Sequence, residues 1–340
     1  LLGFPIALVL AWAYELTPHG VRKDPAGNIE SITEIDDHLE GAPSIAVLPF
    51  DDLSEKGNQG YFCEGMAEEI LNALCKIANL RDASRVAALQ HVGKHVYIQT
   101  IASKLREKTE LDGSVRKSGD KLRITTQLIN TADGFHIWSR QYDRKLEDIF
   151  DIQEEIANSI ARALSVSLKH DRKATQQHVD PKAYDFFLRG LSYFARHTTQ
   201  DNIYARQMFT RAIEIEPDFG RAWAGIAYTY GFAYMYFNAS DVNLAEAKRT
   251  SAKALKLAPG LAESHVSSGI AYCMSQEYKE AEIEFEKAIE RDPKNYEAWY
   301  FFGRAKVHEG DLERALRLFE RASKVRPEDF QSVLLQAQLY

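Results

Sequence analysis

Residues 281–293 read AEIEFEKAIERDP, and residues 315–327, 34 positions on, read ALRLFERASKVRP. Ala281, Phe285, Ala288 and Pro293 return as Ala315, Phe319, Ala322 and Pro327. Upstream, residues 247–259 (AKRTSAKALKLAP) keep the frame with Ser251 in the Phe place, and residues 205–217 (ARQMFTRAIEIEP) carry Ala205, Phe209, Ala212 and Pro217. Steps of four and three residues set the alanines and the aromatic on one face of a helix, and the proline stops that helix from running on. Small residues on the shared face let a second helix come close, so each 34-residue period reads as two packed helices. The stretch ahead agrees: Trp223 precedes Ile226, His265 precedes Ser268-Gly269, and Trp299 precedes Phe302-Gly303. The step from Pro217 to Pro259 is 42, an excess of eight that falls on residues 230–237 (YGFAYMYF). Asp180-Pro181 to His197 reads as the first helix of the first pair, and residues 328–340 open a further unit.

This is the tetratricopeptide pattern, and it predicts an all-α solenoid over residues 180–340, with closing prolines at 217, 259, 293 and 327. Such an array buries its anchors between neighbours and turns the other side of each first helix onto a concave surface. Counted from the anchors, the inner positions are Arg221, Ala224, Tyr228 and Phe232, then Glu263, Val266, Ile270 and Met274, then Glu297, Tyr300, Arg304 and His308. Aromatic, Met and Arg side chains carry much of the energy of interfaces. The candidate groove for a protein or peptide partner is therefore Arg221, Tyr228, Phe232, Ile270, Met274, Tyr300, Arg304 and His308. Core packing is the competing reading of the same stripe. The carboxylate clamp of chaperone-binding relatives is not reproduced, because Ile270 and Glu297 stand where that clamp has basic and amide groups.

Residues 44–170 follow another rule. Ser44–Phe50 (SIAVLPF) is a short apolar run that reads as a buried strand. Phe62, Met66, Ile70, Leu74 and Ile77 then recur at helical spacing from Tyr61 on, over about 15 residues. Val86–Leu89 suits a further strand and Ile98–Leu105 a further helix. Glu110–Lys117 and Lys121–Asn130 flank Ser118-Gly119-Asp120, with apolar and polar residues alternating as in a hairpin that buries one face. Phe135–Tyr142 makes a third antiparallel strand, and Leu146–Leu168 a closing helix.

The runs SIAVLPFDDLSEKGNQGYFCEGMAEEILNAL and DGSVRKSGDKLRITTQLINTADGFHIWSRQYDRKLEDIFDIQEEIA resemble the TolB amino-terminal-like domain of bacterial membrane-anchored proteins. There the domain stands beside tetratricopeptide repeats, and some relatives add a winged-helix transcription domain or a class III adenylyl cyclase domain. The resemblance implies a mixed α/β fold over 44–170 and a sensory or interaction module without catalytic residues. The opening LLGFPIALVLAWAYELTPHGVRKD resembles the membrane exit of such proteins.

That opening also speaks for itself. Residues 1–14 hold no charge, Trp12 and Tyr14 stand near their end, and Arg22 and Lys23 follow. Residues 1–17 therefore read as the end of a transmembrane helix, with a cleaved signal peptide as the rival. Residues 18–43 read as a linker, with a short helix near 29–39. The flanking charges place the soluble part on the cytoplasmic side of a bacterial inner membrane, with the periplasm as the alternative.

The chain has 340 residues with 42 basic and 49 acidic groups, 19 against 25 of them in residues 1–170. Neither half is a basic nucleic-acid binder. Three cysteines exclude a complete disulfide framework, and Cys63 and Cys75 are too far apart on one helix to pair. Asp51-Asp52 suits turn or cap duty, since neighbours on an extended chain point opposite ways. His91 and His95 bracket Gly93 and lack a third ligand nearby. Arg116, Lys117, Lys121 and Arg123 read as solvated strand ends. No phosphate loop, dinucleotide fingerprint, nucleophile elbow or HExxH occurs, so no catalytic residue, cofactor or metal site is expected.

Overall fold

The computed structural model describes residues 15–17, 20–22, 43–75, 80–82, 108–164, 179–326 and 330–339. The chain divides into two units, Leu1–Ala42 and Pro43–Tyr340. In the first, β1 (Glu15–Thr17) pairs antiparallel with β2 (Gly20–Arg22). Residues 15–17, expected to end a transmembrane helix, are a strand instead, and at Thr17 the proline that follows disfavours helical backbone. Residues 1–14 and the helix expected near 29–39 lie outside the described residues. No helix among the described residues is long and apolar enough to cross a membrane.

The second unit opens with β3 (Ser44–Val47), buried at every residue as a strand covered on both faces must be. β4 (Asp51–Asp52) follows, and the Asp52 carboxylate accepts from the backbone N–H of Ser54 at 2.9 Å and of Gln59 at 2.6 Å. Asp52 thereby ties down the loop into α1 (Gly60–Cys75), the turn duty expected of it. β5 (Arg81–Asp82) is a two-residue strand with no apolar signal to announce it. The strand and helix expected at 86–89 and 98–105 lie outside the described residues.

β6 (Thr109–Ser118) and β7 (Lys121–Asn130) form the expected hairpin, closed by Gly119-Asp120 with Gly119 at φ +59°. β8 (His136–Lys145) continues three residues beyond the expected end. The sheet runs β5-β3-β6-β7-β8, parallel as far as β6 and antiparallel beyond, with β4 alongside β6. After one 3-10 turn, α2 (Ile149–Ala163) buries Ile149, Ile152, Ile156 and Ile160. These isoleucines share one core with Leu111, Val115, Leu122, Ile124 and Leu128 of the sheet and with Phe62, Met66 and Ile70 of α1.

The remaining helices come in consecutive pairs: α3 (Pro181–Phe194) with α4 (Thr199–Ile215), α5 (Gly220–Tyr236) with α6 (Asp241–Leu257), α7 (Ala262–Met274) with α8 (Tyr278–Arg291), and α9 (Tyr296–Glu309) with α10 (Leu312–Val325). α11 (Phe330–Leu339) begins a further pair. The eight extra residues lengthen both α5 and α6 to 17 residues, against 13 and 14 in the next pair. Phe209, Phe285 and Phe319 are fully buried, as are the alanines before and after them. A β-carbon on Gly269 would stand 2.7 Å from the Phe285 ring, and one on Gly303 would stand 2.7 Å from Phe319. Asp180 caps α3, accepting from Lys182 N at 2.7 Å with Pro181 in the first turn.

The α/β part and the first repeat share their core. A β-carbon on Gly65 of α1 would come within 2.5 Å of Leu188 on α3. Tyr184 of α3 packs tilted against Phe150 with ring centroids 4.7 Å apart and accepts from Gln153 Nε2 at 3.1 Å, both on α2. Beside it, Asp185 receives Lys117 Nζ at 2.5 Å, Arg189 Nε at 2.9 Å and the Tyr61 hydroxyl at 2.8 Å. The expectation of Lys117 as a solvated strand end is thereby corrected: its side chain is 11% exposed and pairs across the joint. Replacing Phe285 by Ala leaves a cavity against Gly269, and chemical denaturation is expected to show a loss of about 3–5 kcal/mol. Gly269→Val, which drives a side chain into that ring, is expected to cost about 1–3 kcal/mol in the same measurement.

Candidate functional site

The candidate residues stand on the first helices of their pairs, in unequal states of exposure. Arg221 begins α5, and its guanidinium reaches Glu69 Oε1 of α1 at 2.7 Å and lies over the Phe187 ring at 4.9 Å. Glu263 of α7 is 3.8 Å away on the other side. With 21% of its side chain exposed, Arg221 fastens α1 to the solenoid instead of waiting free for a guest.

Ile270 and Tyr300 are only 3% and 6% exposed, and Ala224 and Val266 are buried with them. The expectation that these four are open inner positions is corrected, because neighbouring helices cover them: a β-carbon on Gly231 of α5 would stand 3.0 Å from Ile270, and Tyr300 packs against Tyr296 and Phe319. Arg304 of α9 donates to the Tyr236 hydroxyl of α5. Tyr228 and Phe232 are half-buried; Phe232 stands 4.6 Å from Tyr236, 5.6 Å from Phe194 and 5.4 Å from both His197 and Phe237. Met274 is half-buried, and His308 is exposed and lies parallel to the Tyr278 ring at 6.4 Å.

The surface that remains accessible is polarised. Near the starts of α7 and α9, burial and then the neighbouring Glu263 and Glu297 push the Asp292 carboxyl above its usual range. Burial, with the charges of Glu297 and Glu263 behind it, likewise raises the Tyr228 phenol well above its ordinary value. Arg326 offsets Glu297 at 3.1 Å. Toward the helix ends the surface turns aromatic, with Tyr236 and Phe237 exposed. Arg304 lies there over the rings of Tyr236 and Tyr300, and among the described residues it has no carboxylate partner. Tyr236, Phe237, Phe194 and His197 were not singled out as groove residues from sequence. The first two belong to the aromatic run at 230–237, which also holds Phe232.

In the α/β part, Arg123 pairs with Asp143 at 2.6 Å and Arg116 Nε donates to Leu53 O at 3.2 Å. His91 and His95 lie outside the described residues. Glu110, on the sheet face opposite Leu111, is buried with Oε2 unpartnered among the described residues. Burial, then the charge of Asp112, raises its carboxyl to about 7.

Residues 274–339, which hold α8, α9, α10 and α11, match the family model of the tetratricopeptide repeat. A Rhizobium meliloti (strain 1021) protein described as "Putative adenylate cyclase 3" is 34% identical over 250 residues, which are 72% of this chain and 42% of that protein. The chain thus spans less than half the length of that relative. Among solved structures, TTC0263, a thermophilic TPR protein of Thermus thermophilus, superposes with a TM-score of 0.40 at 15% identity, over 57% of this chain and 94% of that one. TolB from Acinetobacter baumannii gives a TM-score of 0.28 at 14% identity, over 36% of this chain and 28% of that one.

The raised Glu110 carboxyl sets a pH dependence. Between the ordinary 4.5 and about 7 the folded chain keeps a proton there that the unfolded chain has lost, so this group takes stability away as pH rises through that interval. Glu110→Gln is expected to gain on the unchanged protein over the same interval and to hold its advantage above it, as urea midpoints at a series of pH values will show.

Proposed function

We propose that this chain is a non-enzymatic protein-interaction scaffold or sensor whose repeat solenoid receives a peptide or protein partner along α5, α7 and α9. The observation that carries the reading is the accessible strip of Phe232, Tyr236, Phe237 and Met274, which ends at an Arg304 that lacks a carboxylate partner among the described residues. Aromatic surface beside an unneutralised guanidinium is the composition of binding hot spots. α1 already occupies Arg221, so the guest's footprint begins beyond the first pair. The α/β part is a TolB amino-terminal-like module held against the first repeat, and the uncharged residues 1–14 tether the assembly to a bacterial inner membrane, with Arg22 and Lys23 favouring the cytoplasmic side.

A second reading draws on the cyclase relative. The chain is then the regulatory part of a longer signalling protein whose output domain, a cyclase or a DNA-binder, lies outside residues 1–340. The 34% identity over 72% of the chain supports it.

Quantitative mass spectrometry of proteins retained by the immobilised chain tests the groove. Phe232→Ser and Met274→Glu, each checked for native circular dichroism, are expected to weaken the specific partner by about 2 kcal/mol, roughly thirty-fold in Kd. Equal recovery by all three proteins would reject the groove. For the second reading, the full-length gene product is expected to make cyclic AMP from ATP or to bind DNA; a product with neither property would reject it.

A further inference from the structure

The two edges of the sheet are unlike. β5, at one end, is two residues long, and β8, at the other, is ten. A long edge strand presents a row of unpaired N–H and C=O groups, which proteins ordinarily blunt by shortness, proline or a bulge. β8 contains neither proline nor glycine, and its one register shift, opposite Leu128 and Ile129, leaves residues 138–145 regular.

The outward groups of that stretch follow from the ladder. Leu146 N donates to Asp120 O at 2.8 Å, and bonding alternates along an antiparallel pair. Arg144, Tyr142, Arg140 and Trp138 therefore turn their backbone groups to β7, while Asp143, Gln141 and Ser139 turn theirs away. Among the described residues, the one partner of these outward groups is the strand's own Arg144, which donates from Nη1 to Asp143 O at 3.1 Å. The charges that could defend the edge are drawn sideways: Arg140 pairs with Glu155 of α2 at 2.7 Å, and Asp143 with Arg123 of β7 at 2.6 Å. Arg144 is exposed and has no carboxylate partner among the described residues.

The strand is also complementary to itself. About a two-fold axis through Gln141 and normal to the sheet, two antiparallel copies set Gln141 against Gln141, Arg140 against Tyr142, Ser139 against Asp143 and Arg144 against Trp138. Both guanidiniums then meet rings, a hydroxyl meets a carboxylate, and Ile137, 44% exposed, falls beside the aliphatic stem of Lys145. Moving the axis by one residue either way sets like charges face to face, Arg140 with Arg140 or Arg140 with Arg144.

We propose that β8 pairs antiparallel with β8 of a second copy of this chain, joining two sheets into one across a two-fold axis at Gln141. The occupant is a second copy because the strand that carries the open backbone groups also carries the side chains that match it, as an isologous contact requires. The contact uses none of the groove residues of α5, α7 and α9, so it stands or falls separately from the partner reading.

Sedimentation equilibrium of the whole chain tests the pairing. The unchanged protein is expected to form a dimer. Gln141→Lys sets two ammonium groups against each other at the two-fold axis while leaving the β7 ladder intact, and is expected to raise the dissociation constant at least about ten-fold. A monomeric unchanged protein would overturn the proposal. So would a dimer that Gln141→Lys leaves equally tight, since association through another surface, residues 1–14 included, is the same in both proteins. If the variant fails to show native circular dichroism, Gln141→Cys decides under mild copper-catalysed oxidation. A disulfide between the two copies at position 141 supports the pairing, and dimer without that link refutes it.

Discussion

Phe209, Phe285 and Phe319 lie against glycines of the partner helix, so the two helices of a pair meet at a distance that no β-carbon would permit. Everything after residue 180 depends on that approach. The flanking alanines are small for the same reason, and the prolines end the second helix where the chain must turn back. In the pair formed by α5 and α6, Ser251 takes the phenylalanine's place and Gly225 of α5 meets Phe209 from the pair before. Tyr236 at the end of α5 accepts from Arg304 of α9.

The same economy of space joins the α/β part to the repeats. Gly65 lets α1 settle on Leu188, and the pairs Lys117–Asp185 and Arg221–Glu69 close the joint on its two sides. Burying Lys117 and Asp185 is tolerable only because Tyr61 and Arg189 complete the hydrogen bonding around the carboxylate. As a result, one apolar core runs from the sheet through α1 and α2 into α3, α4 and α5.

Most of the fold was legible because it rests on local periodicity. The 34-residue repeat, the β6–β7 hairpin with its Gly119 turn, and the helix that starts near Tyr61 are each written in residues close together in sequence. β5 was not, since Arg81-Asp82 has no apolar pattern and is a strand only because β3 lies next to it. The inner face was half legible. The positions counted from the anchors differ in exposure, and exposure depends on packing between elements distant in sequence, as where Arg304 meets Tyr236, 68 residues away. The engagement of Arg221 was out of reach for a similar reason, because its partner Glu69 belongs to another element far upstream.

Native-state hydrogen exchange is the most direct test of the shared core. Amides of Ile70 on α1, Ile156 on α2, Leu188 on α3 and Phe209 on α4 are predicted to exchange through one opening with a common free energy, since all four residues belong to a single cluster. If Leu188 and Phe209 exchanged through an opening that left Ile70 and Ile156 fully protected, the α/β part and the repeats would be separate bodies, and the account of a covered first pair would be wrong.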